Sequence, residues 1–517
     1  MMQMDTPELA AEAEVTFASV DECRAWLERL PLLNTAVSHG ALTARLELLN
    51  AAHVPVGDRL AMLEILRPAV VAVQAEQAKK CANKPLPLSP QRREILEGVS
   101  KLWDALALGY QKTLAAASAL GHDTDTLARA CHRALDCAWR AVLDHARAYV
   151  QTRVSDLRKL HRVYATAESY GFAALAVTDP LSRSGRSQTC ARTYVRALLL
   201  DAASPRERPP EQLDLLAHWL DRWAPKVMVK REPPRGAQLA PLMVDLAGDA
   251  GARRRCEPGK SLRYLDVTLL AKSLAKRIHG ARQGQGLEQL ELEGTLEARD
   301  AEQVLVSLYR HWCESEPRRA HQRHEVREPA LVCAGLEAVH FGLGGIGATS
   351  GDGTLPGNVR RVHASLARAA IAAETWLLRD ESIAGLGLVR PRDDTRAAPV
   401  THGQLVLVHG DGGRKGMVAA VQWLQESGEG DMHVGARILP GVPAPVTVRN
   451  GDGSRALGIA LSALPALNEP ATLVLPAGWF RPGRTLEVRE AGVRVVRLAQ
   501  LVERGTDYER VSFERMR

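Results

Sequence analysis

The chain of 517 residues lacks the segments that would place it in a membrane or direct it through one. No apolar run reaches the roughly 18 residues of a membrane-spanning helix, so we expect no membrane insertion. Residues 1–15 are acidic and have no basic segment before an apolar core, so they do not predict a secretory signal. These absences favour a cytoplasmic protein.

Cysteine is present, but not in the paired pattern that metal sites and disulfide frameworks need. No CxxC pair occurs among the eight cysteines, at positions 23, 81, 131, 137, 190, 256, 313 and 333. Several of them fall on the apolar faces of predicted helices, where a reduced cysteine packs as a small hydrophobic residue. We therefore expect reduced core cysteines, as in other cytoplasmic proteins, and no metal site.

Aromatic residues are also scarce, at 4% of the chain, whereas basic residues are in excess. The formal net charge is +7 and the sequence pI is near 9.0, supplied mostly by arginine. An arginine excess is compatible with a polyanionic partner, but coding bias in GC-rich DNA produces the same excess. No basic stripe with interleaved aromatic residues occurs, so we do not expect nucleic-acid binding.

The sequence contains no recognised catalytic signature. HExxH, GxSxG and Cys/His patterns are all absent. Gly259-Lys260-Ser261 is similar to the end of a phosphate-binding P-loop, but position 254, where that loop needs glycine, is arginine. Gly342–Gly347 has the GxGxxG pattern, yet a dinucleotide site needs a helix there and Ser350–Gly353 predicts a loop. We expect neither an enzyme nor a bound cofactor.

Hydrophobic periodicity divides the chain into four parts of an α+β multidomain protein. Residues 1–225 have apolar residues at helical spacing and predict a large all-α domain, which we expect to contact a protein partner. Residues 226–312 predict a small α/β connector. Residues 313–440 and 441–517 are rich in strand patterns, and the last part is either a second small β-barrel or an extension of the first.

Local signals predict several helix boundaries within residues 1–225. Ser19-Val20-Asp21-Glu22 has the spacing of a capping box at the start of a helix. Asp58 is expected to cap a helix that Pro68 interrupts. The longest helical stretch is predicted from Asp125 to Lys159, because an apolar stripe continues at helical spacing through that segment.

The first of two clusters that predict a function is rich in arginine. It contains Arg318, Arg319 and Arg323, and the last two form an RxxxR pattern. Guanidinium groups donate paired hydrogen bonds to phosphate oxygens or to the O6 and N7 edge of guanine, and their planes stack on bases. By composition, about five chance RxxxR matches are expected, and Arg323 to Arg327 repeats the pattern, so this cluster alone is weak evidence.

The second cluster is more specific. Asp380, Ser382 and Gly385 form a [D/N]xSxxG pattern, for which only ~0.2 chance matches are expected. Asp380 and Ser382 lie on one side of an extended segment, because side chains alternate along a strand. Gly385 lets the backbone turn, or lets a ligand approach without meeting a Cβ. Together the clusters predict a site for an anionic ligand that contains guanine.

The segments after these clusters extend the pattern. Gly403–Val408, Gly416–Leu424 and His433–Leu439 are each typical of a strand, and the second of them contains a VxW sequence. With its two clusters and these strands, the segment 313–440 resembles the PilZ domain, the bacterial receptor module for the second messenger cyclic di-GMP. The resemblance implies an antiparallel β-barrel that binds cyclic di-GMP.

The resemblance also implies which residues bind the ligand. The implied set is Arg318, Arg319, Arg323, Asp380, Ser382 and Gly385. The arginines would clamp phosphates and the guanine Hoogsteen edge, Asp380 and Ser382 would meet guanine edges, and Gly385 would keep the floor of the site open. Because the arginines precede the first barrel strand, clamping would fix how residues 1–312 are oriented on the barrel and act as a signalling switch.

The distance between the clusters leaves an alternative open. The segment 324–379 contains 56 residues, which is longer than the family usually has, and predicts a Gly-rich loop at Gly342–Gly357 and a helix at Val359–Thr375. This insertion could cover the site, or it could mark a barrel that has lost its ligand. In the second case the protein would be an interaction scaffold with a PilZ-like barrel that binds no nucleotide.

Overall fold

The computed structural model describes residues 17–182, 187–234, 239–294, 296–314, 321–344, 373–392, 398–410, 416–490 and 492–516. Helices dominate the first part, a small sheet with two further helices follows, and two closed six-stranded barrels complete the described chain. The predicted α+β multidomain architecture is confirmed. Within these ranges, no helix is both long enough and apolar enough to cross a membrane.

Eight α-helices are described in residues 17–223. They are α1 Val20–Glu28, α2 Thr35–Ala51, α3 Val56–Lys79, α4 Pro90–Ala119, α5 Thr124–Arg147, α6 Val154–Ser169, α7 Cys190–Ala202 and α8 Pro210–Trp223. Ser19 caps α1 as predicted, because its Oγ accepts a hydrogen bond from Glu22 N at 3.2 Å. The Glu22 carboxylate accepts a hydrogen bond of 2.6 Å from Ala18 N, one residue before the cap, so the second bond of the predicted capping box is shifted. Local capping signals therefore set this helix end.

The predictions around Pro68 are wrong. α3 continues through Pro68, and Asp58 lies in its first turn while Pro55 occupies the capping position. Proline removes one backbone donor from a helix. Leu66 and Val70, on either side of Pro68, are fully buried, so packing of the helix keeps it continuous at this point.

The predicted continuous helix from Asp125 to Lys159 is also wrong. α5 ends at Arg147 and α6 begins at Val154. Between them, Tyr149 has a left-handed φ of 54°, and Val150 forms a parallel bridge with Glu426 of the first barrel. A long-range contact therefore breaks the helix where the sequence carries no breaker.

Residues 226–314 pack against the eight helices. The strands β1 Met228–Lys230, β2 Leu242–Asp245 and β3 Leu262–Asp266 form a sheet in the order β1-β3-β2, and the helices α9 Thr268–Arg282 and α10 Ala298–Cys313 follow. Trp312 of α10 stacks edge-on against Trp223 of α8 with ring centroids 5.5 Å apart. The predicted connector thus shares a core with the helices, and we call residues 17–314 the helical region.

The first barrel follows in residues 324–438. Its strands are β4 His324–Ala334, β5 Glu374–Ser382, β6 Gly385–Arg390, β7 Leu405–Gly410, β8 Met417–Glu426 and β9 Met432–Ile438, closed in the order β4-β5-β6-β9-β8-β7. The helix α11, Leu336–Gly344, occupies the start of the predicted Gly-rich loop. Glu374 and Thr375, predicted as the end of a helix, belong to β5. The rest of that predicted loop and helix, positions 345–372, lies outside the described residues.

The last part of the chain forms a separate second barrel, which decides between the two predicted alternatives. Its strands are β10 Pro443–Asn450, β11 Arg455–Leu461, β12 Thr472–Pro476, β13 Thr485–Arg489, β14 Val493–Arg504 and β15 Tyr508–Arg515, closed in the order β10-β11-β12-β15-β14-β13. α11 packs between the barrels. Asp507 links them, because its carboxylate accepts hydrogen bonds from Leu336 N at 2.9 Å and Leu405 N at 3.0 Å.

The helical region docks onto the first barrel through a shared apolar core. Leu86 and Tyr149 of the helical region are buried in the same cluster as the inward-facing side chains of the barrel. The backbones of Leu86 and Val400 exchange two hydrogen bonds of 2.9 and 2.8 Å. This docking brings Gln151 and the 3₁₀ turn Pro205–Glu207 to the same face of the barrel as β8 and β9.

Candidate ligand-binding site

A cavity of about 610 Å³ lies between the first barrel and the helical region. The barrel contributes side chains from the approach to β4 and from β5, β6, β8 and β9. The helical region contributes Gln151, Arg206 and Glu207. Arg323, Asp380, Ser382 and Gly385, which the sequence analysis selects from two distant clusters, all line this cavity.

The two clusters meet in an ion pair. Arg323 Nη1 donates to Asp380 Oδ1, and Arg379 Nε donates to Asp380 Oδ2 at 3.0 Å. Burial works to raise the pKa of Asp380, but the hydrogen bonds from Arg323 and Arg379 outweigh it, so this pKa lies below its ordinary value. Asp380 is therefore an ionised acceptor held between two guanidinium groups.

The local strand geometry aims Asp380 and Ser382 into the cavity. Both lie at the end of β5, whose hairpin with β6 pairs Asp380 with Gly387 and Ser382 with Gly385. The two residues are separated by two positions, so they share one side of the strand, as predicted. Ser382 Oγ donates to the carbonyl oxygen of Gly385 at 3.3 Å.

Two glycines of β6 leave space for the side chains of the site. A Cβ at Gly385 would lie 3.2 Å from the Ala436 carbonyl oxygen and 3.6 Å from Arg323 Nη2. A Cβ at Gly387 would lie 2.6 and 2.7 Å from the two carboxylate oxygens of Asp380. Gly387 therefore leaves the space that the Asp380 carboxylate occupies.

Trp423 forms a flat wall of the cavity. The pairing of β8 with β9 is irregular between Val421 and Trp423, and such an irregularity re-aims a side chain. The indole lies directly over Gly435, where any Cβ would overlap the ring. The guanidinium carbon of Arg206 lies 4.6 Å from the ring centroid, which is a cation–π contact.

The cavity lining is electropositive. Four arginines, at positions 206, 323, 379 and 437, line it together with two carboxylates, Glu207 and Asp380. Arg437 also pairs with Glu503 of the second barrel. Burial and the nearby Arg379 lower the pKa of His433, so this imidazole is neutral near pH 7 and the positive charge comes from guanidinium groups. Such a lining suits an anionic ligand that has planar groups.

Two family models match the chain. Residues 21–234 match the model described as the N-terminal domain of the cyclic-di-GMP receptor FimW, and residues 447–516 match the FimW C-terminal beta-barrel domain. The cyclic-di-GMP receptor FimW of Pseudomonas aeruginosa is 27% identical over 210 residues, which are 40% of this chain and 34% of the relative. The similarity therefore spans about a third of that relative's length.

The matched segments lie on both sides of the first barrel in the sequence. The segment 21–234 includes the three cavity residues of the helical region, and the segment 447–516 covers most of the second barrel. Neither segment covers residues 324–438. The two matches therefore do not bear on the PilZ resemblance of the first barrel, which depends on its sequence motifs.

Some site residues lie beyond the sequence prediction and others beyond the described structure. Arg318 and Arg319 fall in positions 315–320, outside the described residues. Arg437 lies within the predicted strand His433–Leu439 on the same side as His433 and Gly435, so strand alternation could have placed it at the cavity. Arg379 should point away from the side of its neighbour Asp380, and it reaches the cavity where the pairing of β5 with β6 is irregular between Leu378 and Asp380. Arg206 carries no such signal, because only the docking of the helical region brings it to the site.

Among the described residues, no group of three or more His, Cys, Asp or Glu could hold a metal ion.

Proposed function

We propose that this chain is a cytoplasmic, cyclic di-GMP-binding regulatory protein, a receptor rather than an enzyme. One observation carries the proposal. Arg323 and the Asp380–Ser382–Gly385 cluster, 57 positions apart at their nearest pair, line one electropositive cavity. The similarity of the flanking segments to the receptor FimW supports the same ligand.

Each side chain matches a part of this ligand. Arg323 would bind a phosphate or the guanine O6 and N7 edge, with Arg319 and Arg318 completing the clamp. Asp380 accepts hydrogen bonds only, and guanine presents N–H donors on its Watson–Crick edge. Ser382 would add a further contact, and Gly385 would leave room for the ligand above β6.

The hydrogen bond between Arg323 and Asp380 must be replaced by contacts to the ligand when the ligand binds. In the structure, the arginine and the carboxylate satisfy each other. A bound dinucleotide would offer phosphate oxygens to Arg323 and N–H donors to Asp380. Arg323 would then donate a hydrogen bond to the ligand, and Asp380 would accept one from it. The exchange keeps both partly buried charges satisfied, which the low local dielectric requires.

We propose that clamping reorients the helical region on the barrel and so changes its surface for a protein partner. Arg318, Arg319 and Arg323 lie in the chain segment between α10 and β4, and the cavity wall includes residues of the helical region. The shared core makes a large rotation costly. The proposed reorientation is therefore small, and the turn Pro205–Glu207 lies at the contact between the helical region and the barrel.

Calorimetric titration with cyclic di-GMP tests the proposal on the full chain. A lost charge-assisted contact costs about 1.5–3 kcal/mol, so Arg323→Ala should weaken binding about tenfold or more. Arg327→Ala is the matched control, because Arg327 completes a second RxxxR pattern but is exposed and pairs with Glu325. Wild-type protein that gives no binding heat would contradict the receptor function and favour the scaffold alternative.

A further inference from the structure

The turn that carries Arg206 is anchored to both the helical region and the first barrel. Arg208 is buried and donates to Ala203 O at 3.0 Å, and its own carbonyl accepts a hydrogen bond from Tyr149 Oη at 2.6 Å. On the barrel side, the ring nitrogen Nε2 of His402 lies 3.1 Å from the Glu207 carbonyl oxygen. Arg206 therefore projects from a fixed backbone.

The guanidinium of Arg206 lies over the indole ring of Trp423. It lies 4.6 Å above the centroid of Trp423. Such a cation–π contact leaves N–H donors of the five-donor guanidinium available for hydrogen bonds. Among the described residues, it has neither a hydrogen bond nor an ion pair.

The other arginines of the cavity differ in this respect. Arg323 and Arg379 both pair with Asp380, and Arg437 pairs with Glu503. The carboxylate next to Arg206 is also engaged elsewhere, since Glu207 Oε2 lies 3.6 Å from His311 Nε2. Arg206 thus presents uncommitted donors to the cavity.

We infer that Arg206 is a ligand-binding residue that the helical region contributes to the site. Trp423 holds the guanidinium plane in place, and its edge donates to a phosphate of the bound dinucleotide. This inference rests on the proposed function. It adds that the ligand bridges the two regions of the molecule, so that occupancy of the barrel is sensed directly by the helical region.

Titration of the full chain with cyclic di-GMP at low and high salt tests the inference. Arg206→Ala should bind about tenfold more weakly at low salt. Its affinity should also fall less with added salt than that of the wild type, because one charge–charge contact is missing. Arg206→Lys keeps the charge but loses the planar stack, so it should lose about threefold. Arg129→Ala removes an exposed arginine of α5 outside the cavity and should bind as the wild type does.

The outcomes separate this inference from the proposed function. Wild-type binding with an unchanged Arg206→Ala affinity and salt dependence would overturn the inference and leave the receptor function standing. A wild type that does not bind would overturn both. Because Arg206 makes no hydrogen bond to any residue that the structure describes, its variants should melt near the wild-type temperature. Trp423→Ala should weaken binding to a similar extent, because it removes the ring that supports Arg206.

Discussion

Asp380 is the residue on which the site geometry depends. Its side chain is 14% exposed and is held between Arg323 and Arg379. Sequence patterns could select Asp380 and Arg323, because each belongs to a motif whose residue types suit phosphate and guanine. They could not select Gly387, because the need for glycine arises only from the carboxylate that rests against it across the hairpin.

Gly387→Ala replaces one hydrogen atom with a methyl group and tests whether the site depends on the position of Asp380. The new Cβ would lie 2.6–2.7 Å from the Asp380 carboxylate oxygens, so the carboxylate must turn away while the strand stays in place. We expect a loss of about 1 kcal/mol in the free energy of unfolding, from the weakened hydrogen bonds with Arg323 and Arg379. We also expect cyclic di-GMP affinity to fall at least fivefold, on the order of 1 kcal/mol.

Chemical denaturation and calorimetric titration measure the two effects. Gly428→Ala is a suitable control, because a Cβ there meets nothing within 4 Å. Equal affinity for Gly387→Ala and the control would mean that the position of Asp380 does not govern ligand binding.

At the scale of single elements, the sequence predicts the interior of a helix or strand better than it predicts where that element ends. The apolar periodicity of α5 is correct as far as Arg147, and the strands predicted at Gly416–Leu424 and His433–Leu439 are present as β8 and β9. The break after Arg147 could not be predicted, because its cause is the pairing of Val150 and Gln151 with Glu426, hundreds of residues away. Pro68 is the reverse case, in which burial on both sides overrides a local breaker.

The contact between α5 and α7 should make the stability of the protein depend on pH. Arg133 Nη1 lies 3.1 Å from His132 Nδ1, and a guanidinium can only donate, so Nδ1 carries no proton. His132 Nε2 then donates to Thr193 Oγ1 at 3.2 Å. Burial is the main cause that lowers the pKa of His132 to about 4, and Arg133 adds to it.

The direction of this pH effect follows from proton linkage. The folded pKa lies below the unfolded value near 6.5, so the unfolded chain binds the extra proton between these values, and stability falls as the pH decreases. Between about pH 7 and pH 5, His132 should contribute a loss of roughly 2 kcal/mol, at 1.36 kcal/mol per pH unit below 6.5.

Urea denaturation of the wild type and of His132→Gln at pH 7 and pH 5 isolates the contribution of His132 to the pH dependence of stability. The variant should be less stable at pH 7 but should lose about 2 kcal/mol less on acidification. His122→Gln, at an exposed position, should follow the wild type. A His132→Gln protein with the same pH dependence as the wild type would refute the assignment of a neutral, hydrogen-bonded His132.

At the scale of the whole molecule, the sequence predicts the parts but not their arrangement. Helical spacing and strand alternation are properties of short segments. They predict the helical region and the strand-rich second half of the chain. The closure of residues 443–515 into a second barrel depends on the pairing of β10 with β13 and of β12 with β15, which no local pattern encodes. The docking of the helical region, and with it the presence of Arg206 in the cavity, is likewise a tertiary property.

Glu426 is the polar centre of that docking and provides the test at this scale. Its side chain is 3% exposed, and its carboxylate accepts hydrogen bonds from Leu88 N and Arg93 Nε, both at 3.0 Å. Its backbone is bonded to Tyr149 O and Gln151 N, both at 2.8 Å. Removing this carboxylate leaves a buried backbone donor and a partly buried guanidinium without their acceptor.

We therefore expect Glu426→Ala to lower the free energy of unfolding by about 2–4 kcal/mol, which is near the cost of breaking a buried pair, reduced for the partial exposure of Arg93. Amide hydrogen exchange should report the same loss locally, because the Gln151 N–H is bonded to the barrel backbone and should exchange faster. Glu429→Gln, an exposed position in the turn between β8 and β9, is the control. If Glu426→Ala left both stability and Gln151 exchange unchanged, the helical region would not be held to the barrel at this point. Large rotations of the helical region would then become possible, and the proposed signal would no longer need to pass through the turn that carries Arg206.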